Sequence, residues 1–395
     1  MNKILDKMQC KLDFFTLGIL LVFFACPLRV YVPTSFIVEF VAIILVVLSY
    51  QTKVSNGINA NLKKSSIILA CFMSIIFIFG TLASYDDFCF KENYRFFVQF
   101  VFLAIFINSR YDNERALKIA FWLCVLHIPF TVYELIHINI TSPNDFAGLL
   151  ITGSAMNTYD EDSQYLLPSE DLGFPMLRPF GLMLQPQKSA FVFVFGIVIR
   201  YLLDKKRHEY KKFWYFLFLA AVIASAGKTA MLIAFVLLLA ILYNIYPSLK
   251  VSKRRIIVYV LIGLAVLLYF LIHTLQINDG RAQALGDIGN DLVSILNYPT
   301  LEAIFGHGIP RVADMENHGF IVESYLARIV LQLGYLPFLL VCYAASKIFK
   351  AKEWKLNYIM LWLVFGLMGH YCVLNTPFFQ YLLCVIICFY KQNKF

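Results

Sequence analysis

The sequence predicts an all-α membrane protein: one polytopic helical bundle over residues 1–395, with about twelve transmembrane helices and both termini in the cytoplasm. Three observations predict it. Apolar residues make up 60% of the chain and charged residues only 15%, far from the balance of a soluble domain. Apolar runs long enough to cross about 30 Å of hydrocarbon, which takes about 20 residues, recur from end to end. The connections between these runs alternate between basic and acidic, the charge pattern that sets membrane orientation.

The elements follow in order. No Ala-x-Ala-like cleavage site follows the first run, 12–28, so it is read as a retained helix rather than a signal peptide. Further runs lie at 33–51, 66–84, 94–109, 116–137, 188–204, 213–226, 228–247, 256–275, 320–346, 356–374 and 377–390. The run 213–226 is short and joins its successor through Ser225-Ala226-Gly227-Lys228, a tight helical hairpin. One set of connections carries Lys63 and Lys64, Arg115 and Lys118, Lys205 to Arg207 with Lys211 and Lys212, and Lys253 to Arg255. The other set carries Asp86 and Asp87, Asp160 to Asp162, Asp287, Asp291 and Asp314. The basic side belongs to the cytoplasm, which leaves two long periplasmic loops, 138–187 and 276–319, the second with partly re-entrant helices around Ala303–Ile309.

Several function classes drop out. The net charge of +9 is a topology signal, not a nucleic-acid footprint, and no nucleic-acid partner is expected. There is no Gly-rich phosphate loop, Walker-type lysine or internal repeat, so ATP-driven transport has no support. Of nine cysteines only Cys89 lies clearly in an outer connection, so no disulfide framework is expected, and Cys384 and Cys388 read as packing. The acidic triplet Asp160-Glu161-Asp162 reads as a solvated loop tip; neither a metal nor a cofactor is expected.

The candidate site lies where outer loops meet apolar runs. Arg178, Lys188, Lys228, Arg281 and His318 are most of the cations on an otherwise acidic face. Arginine suits a pyrophosphate because its planar fork binds phosphate oxygens bidentately and keeps its charge. Each residue also has a plainer reading. Arg178 can pair with Glu170 or Asp171, Arg281 with Asp279 or Asp287, His318 can cap its helix or hydrogen-bond Glu316, and Lys228 can be a snorkelling anchor. Arg328, ten residues into the helix that follows His318, sits about 15 Å inside the hydrocarbon. A buried ion pair, for instance with Glu134, and a place in a substrate cavity are equally open for it. His127, His370 and Glu39 are the other titratable groups within the runs.

These pieces resemble the bacterial O-antigen polymerase and O-antigen ligase superfamily, integral membrane glycosyltransferases that use undecaprenyl-pyrophosphate-linked glycans. In family order the chain has Arg178-x-x-Gly181 with Pro186 before a span, and Ser225-Ala226-Gly227-Lys228 at the hairpin. Gly280-Arg281 opens the large loop, Phe305-Gly306-x-Gly308 follows, and His318 precedes Gly334 by one long helix. The resemblance covers roughly residues 175–340 by motif and the first 170 by hydropathy profile alone. Three positions depart from the family pattern: Gly227-Lys228 stands where Ser-Arg is usual, Gln187 where Asn is common, and Gly319 where Asn is frequent.

The resemblance implies an O-antigen or related surface polysaccharide polymerase in the inner membrane, with its active site facing the periplasm. Donor and acceptor are both undecaprenyl-pyrophosphate-linked oligosaccharides, and a flippase and a chain-length regulator are the implied partners beside the bilayer itself. Arg178, Arg281 and His318 are the implied catalytic residues, and Lys188, Lys228 and Arg328 are substrate-binding candidates. Two alternatives stand beside it: a ligase moving finished glycan to lipid A-core, and a flippase or exporter of lipid-linked saccharide.

Overall fold

A computed structural model of the chain describes residues 14–28, 35–48, 60–83, 101, 104–108, 112–141, 179–225, 227–245, 330, 335–336, 338–340, 342–343, 363, 373 and 376–392. Every regular element among the described residues is helical. In chain order these are α1 (Phe14–Leu28), α2 (Ser35–Leu48), α3 (Ala60–Ala83) and α4 (Asn113–Ile136), which runs on into a π-helical turn, His137–Thr141. A single 3-10 turn, Gly181–Met183, precedes α5 (Pro186–Arg207), α6 (Lys212–Ala224), α7 (Lys228–Ile245) and α8 (Pro377–Gln392).

The helices sit on the predicted apolar runs, but polar chemistry sets their ends. Helix α4 starts at Asn113, ahead of its apolar run, because Asp112 caps it: its carboxylate accepts from the N–H groups of Glu114 and Arg115 at 2.9 and 3.1 Å. Helix α5 starts at Pro186, whose missing N–H and fixed φ suit the first helical position. It ends at His208 in the left-handed region (φ 55°), after the basic turn Lys205-Lys206-Arg207, which complements the negative end of the helix dipole.

Helix α5 is the hub of the fold, with α4, α6, α7 and α8 all packed against it. It is buried around its whole circumference from Lys188 to Asp204, as expected of a helix apolar on every face. Gly196 makes the contact with α6 possible, since a Cβ there would lie 2.5 Å from the Phe218 ring. The turn into α6 is clasped by Asp204, itself fully buried. The carboxylate pairs with Arg200 one turn earlier and accepts from the Lys211 N–H at 3.1 Å and the Tyr215 hydroxyl at 3.0 Å. The Arg200 guanidinium also lies over the Phe121 ring, 5.4 Å from its centroid.

By length and composition two described helices can cross a membrane, Asn113–Ile136 and Pro186–Arg207; Phe14–Leu28, Ile37–Leu48, Lys212–Ala224, Thr229–Leu242 and Pro377–Tyr390 are shorter apolar helices. The span predicted at 256–275 and the loop at 276–319 lie outside the described residues.

Apolar residues line both the interior and the exposed faces of these helices, and a few polar side chains are buried among them. The buried face of α4 carries Cys124, His127, Thr131 and Glu134, while Trp122, Leu126, Tyr133 and Ile136 face outward. On α2 the carboxylate of Glu39 is buried in line with Ala42 and Val46, and Ile37, Phe40, Ile44 and Leu48 are exposed. On α6 Phe213 and Phe216 point out while Tyr215 and Phe218 point in.

Candidate functional site

The chain enters α5 through a folded turn, and this turn holds the end of the Arg178-x-x-Gly181 motif. Residues 179–183 are buried. Gly181 has φ +56°, a conformation that costs other residues about 1–2 kcal/mol. A side chain is excluded there in any case, because a Cβ would lie 2.7 Å from His127 Cε1 and 2.8 Å from Ser189 Oγ. Leu184 also takes a left-handed conformation (φ 59°) and donates its N–H to the Gly181 carbonyl at 3.3 Å. Gln185 then returns to extended backbone and Pro186 begins the helix.

Three helices grip the turn. From α4, the Glu134 carboxylate accepts from the N–H groups of Phe180 and Gly181. From α5, the Ser189 hydroxyl donates to the Phe180 carbonyl. From α1, the Cys26 thiol donates to the Met183 carbonyl at 3.4 Å. Backbone groups that would be stranded in an apolar interior are thereby satisfied. Glu134 is only 7% exposed, and the two N–H donors are the partners that make a carboxylate tolerable there.

Two further groups converge on this end of the bundle. Lys188, in the first turn of α5, is 9% exposed. Its charge lies at the positive end of the helix dipole. His127 is wholly buried beside Gly181, with its ring 5.3 Å from that of Phe193, and neither ring nitrogen has a hydrogen-bond partner among the described residues. The hairpin motif arrives at the same place. Gly227 packs against the first turns of α5, where a Cβ would lie 2.9 Å from Ala190 Cβ, and Lys228 begins α7.

The structure thus brings together the Gly181 turn, Lys188 and the backbone of Gly227 at the start of α7. The Lys228 side chain, Arg178, Arg281, His318 and Arg328 lie outside the described residues. Glu134, named above as a possible partner of Arg328, is engaged by the turn. Sequence reasoning missed this role because the carboxylate lies 47 residues from Gly181 and its partners are backbone groups, which leave no mark in a sequence. Among the described residues no cluster of three or more His, Cys, Asp or Glu side chains is arranged to hold a metal ion. Comparison of the chain with protein-family models, with curated proteins and with solved structures gives no match.

Proposed function

We propose that the chain is a polytopic membrane glycosyltransferase of about twelve spans. On this reading it polymerises O-antigen or a related surface polysaccharide at the periplasmic face of a bacterial inner membrane. The observation that carries the reading is the meeting of two cation-bearing motifs at one end of the apolar pair α4 and α5. The turn ending in Gly181 and the hairpin ending at Lys228 both pack on the start of α5, within a turn of Lys188. Exposed apolar faces support the membrane setting, since outward rows such as Ile37, Phe40 and Leu48 or Phe213 and Phe216 suit lipid rather than water.

In the proposed reaction, a hydroxyl of the acceptor repeat unit attacks the anomeric carbon of the donor glycan. A new C–O bond forms, the bond to the lipid pyrophosphate breaks, and its electron pair leaves with the pyrophosphate. That leaving group needs charge stabilisation rather than a proton, which Arg178 and Arg281 supply, with Lys188 and Lys228 as further cations. His318 takes the hydroxyl proton; the reference histidine pKa of about 6.5 leaves it neutral and able to act as a base near pH 7. No step requires a divalent ion, so activity is expected to survive EDTA.

Deletion of the gene, with the surface glycan viewed on a gel, tests the assignment. A polymerase leaves one repeat unit on core. Long lipid-linked chains with bare core identify a ligase, and repeat units accumulating on the cytoplasmic face identify a flippase. Complementation with Arg178→Ala, Arg281→Ala or His318→Gln is expected to restore membrane insertion without restoring polymer. Full polymer from either arginine variant would overturn the pyrophosphate role.

A further inference from the structure

The opposite end of the bundle carries a second surface. There the start of α4 meets the end of α5 and the start of α6. Glu114 receives Lys118 at 2.7 Å, Lys206 at 2.6 Å and Arg207 at 3.7 Å. Arg115, Lys205, Lys211 and Lys212 bring the cations to seven, against the carboxylates Asp112, Glu114 and Glu209. The remaining carboxylate nearby, Asp204, is buried and committed to Arg200. A net positive surface is left, with Lys206, Arg207, Lys211 and Lys212 exposed.

An exposed aromatic cluster borders these cations. The Trp122 and Trp214 rings lie 5.9 Å apart, and Phe213 stands 5.4 Å from Trp214. Trp122 is 60% and Phe213 66% exposed. Lys118 is one helical turn from Trp122 on the same face of α4, toward the end of the bundle, and Lys212 immediately precedes Phe213. Aromatic rings at the hydrocarbon boundary with cations one turn further out form an arrangement suited to a phospholipid. The rings pack against the glycerol and upper acyl chain, and the cations reach the phosphate.

We infer that this Trp122–Trp214–Phe213 platform with Lys118, Arg207, Lys211 and Lys212 is a docking surface for anionic phospholipid of the cytoplasmic leaflet. Charge complementarity selects the occupant. A zwitterionic headgroup carries no net charge, whereas phosphatidylglycerol is attracted by about fivefold per nearby cation. The surface seats the bundle at a defined depth through α4 and α5, the same helices that hold the Gly181 turn at their other ends. The inference rests on the membrane-spanning part of the proposed function and is independent of glycosyl transfer.

Tryptophan quenching by brominated lipids tests it. The chain has four tryptophans; with Trp354→Phe and Trp362→Phe, the emission comes from Trp122 and Trp214. The full chain is reconstituted in mixtures of brominated phosphatidylglycerol and phosphatidylcholine. The expected result is a preference of at least about fivefold for phosphatidylglycerol. That preference should fall toward one in Arg207→Gln/Lys211→Gln/Lys212→Gln, and in the unsubstituted surface at about 1 M salt, where charges are screened beyond about 3 Å. Equal quenching by the two lipids, or a preference that survives both the substitutions and salt, would overturn the docking surface while leaving the membrane reading intact. Absence of quenching by either lipid would overturn the membrane reading and the docking surface with it.

Discussion

Glu134 and Gly181 set the shape of the candidate site at the scale of single residues. The carboxylate supplies what the buried N–H groups of Phe180 and Gly181 lack, and the glycine supplies a left-handed conformation pressed against His127 and Ser189. Gly181→Ala combines an unfavourable φ with an overpacked contact, for a loss of about 3 kcal/mol. Glu134→Gln keeps one oxygen to accept an N–H and loses the charge-assisted bond, about 1–2 kcal/mol. Glu134→Ala strands both donors and costs more, by the desolvation of two buried amides. Thermal unfolding in detergent is expected to rank the variants in stability as wild type, Glu134→Gln, then Gly181→Ala and Glu134→Ala. A Glu134→Ala variant as stable as the wild type would show that the turn does not depend on the carboxylate.

Among the elements, the junction of α5 with α6 is held by a single carboxylate. Asp204, itself fully buried, joins the Arg200 guanidinium, the Tyr215 hydroxyl and the Lys211 N–H. Removing one member of a buried ion pair leaves the other uncompensated, so Asp204→Ala is expected to destabilise by about 3–5 kcal/mol. Replacing both charges together, Arg200→Met with Asp204→Leu, removes the stranded charge and is expected to recover most of that loss. Tyr215→Phe removes one hydrogen bond to a charged group, about 1.5–3 kcal/mol. Melting temperatures of the three proteins decide it: a double variant no more stable than Asp204→Ala would mean that the clasp acts through the Lys211 N–H rather than the ion pair.

For the whole molecule, the two long helices set the frame. The Glu134–Gly181 contact ties the end of α4 to the start of α5, and the Lys206–Glu114 pair, at 2.6 Å, ties their other ends. The two therefore run antiparallel, and at about 1.5 Å per residue each has the length of a bilayer core. This much is legible in the sequence, because hydrocarbon thickness imposes the length of an apolar run. The helix ends are less legible. Asp112 extends α4 through a cap, and Pro186-Gln187 and Lys205-Lys206-Arg207 extend α5 through residues that hydropathy assigns to loops. Of the cations named from the motifs, the Lys188 side chain lies among the described residues, at the start of α5; the carboxylate that shapes the turn is not legible, since its partners are main-chain groups.

Charge segregation between the two ends fixes the last expectation. Lys118, Lys206, Arg207, Lys211 and Lys212 gather where α4 starts and α5 ends. The acidic stretch with Asp160, Glu161 and Asp162 lies in the connection from the far end of α4 to the Gly181 turn. If lysine and arginine are retained on the cytoplasmic side, residues 138–187 and 276–319 are expected outside. In a background lacking native cysteines, Ser163→Cys and Asn290→Cys are expected to react with an impermeant maleimide in intact spheroplasts. Glu209→Cys, on the exposed turn between α5 and α6, is expected to react only after lysis. The reverse pattern would invert the topology and put the basic surface outside. It would also move the Gly181 turn and Lys188 to the cytoplasmic face, so the polymerase reading, which needs them outside, would fall with it.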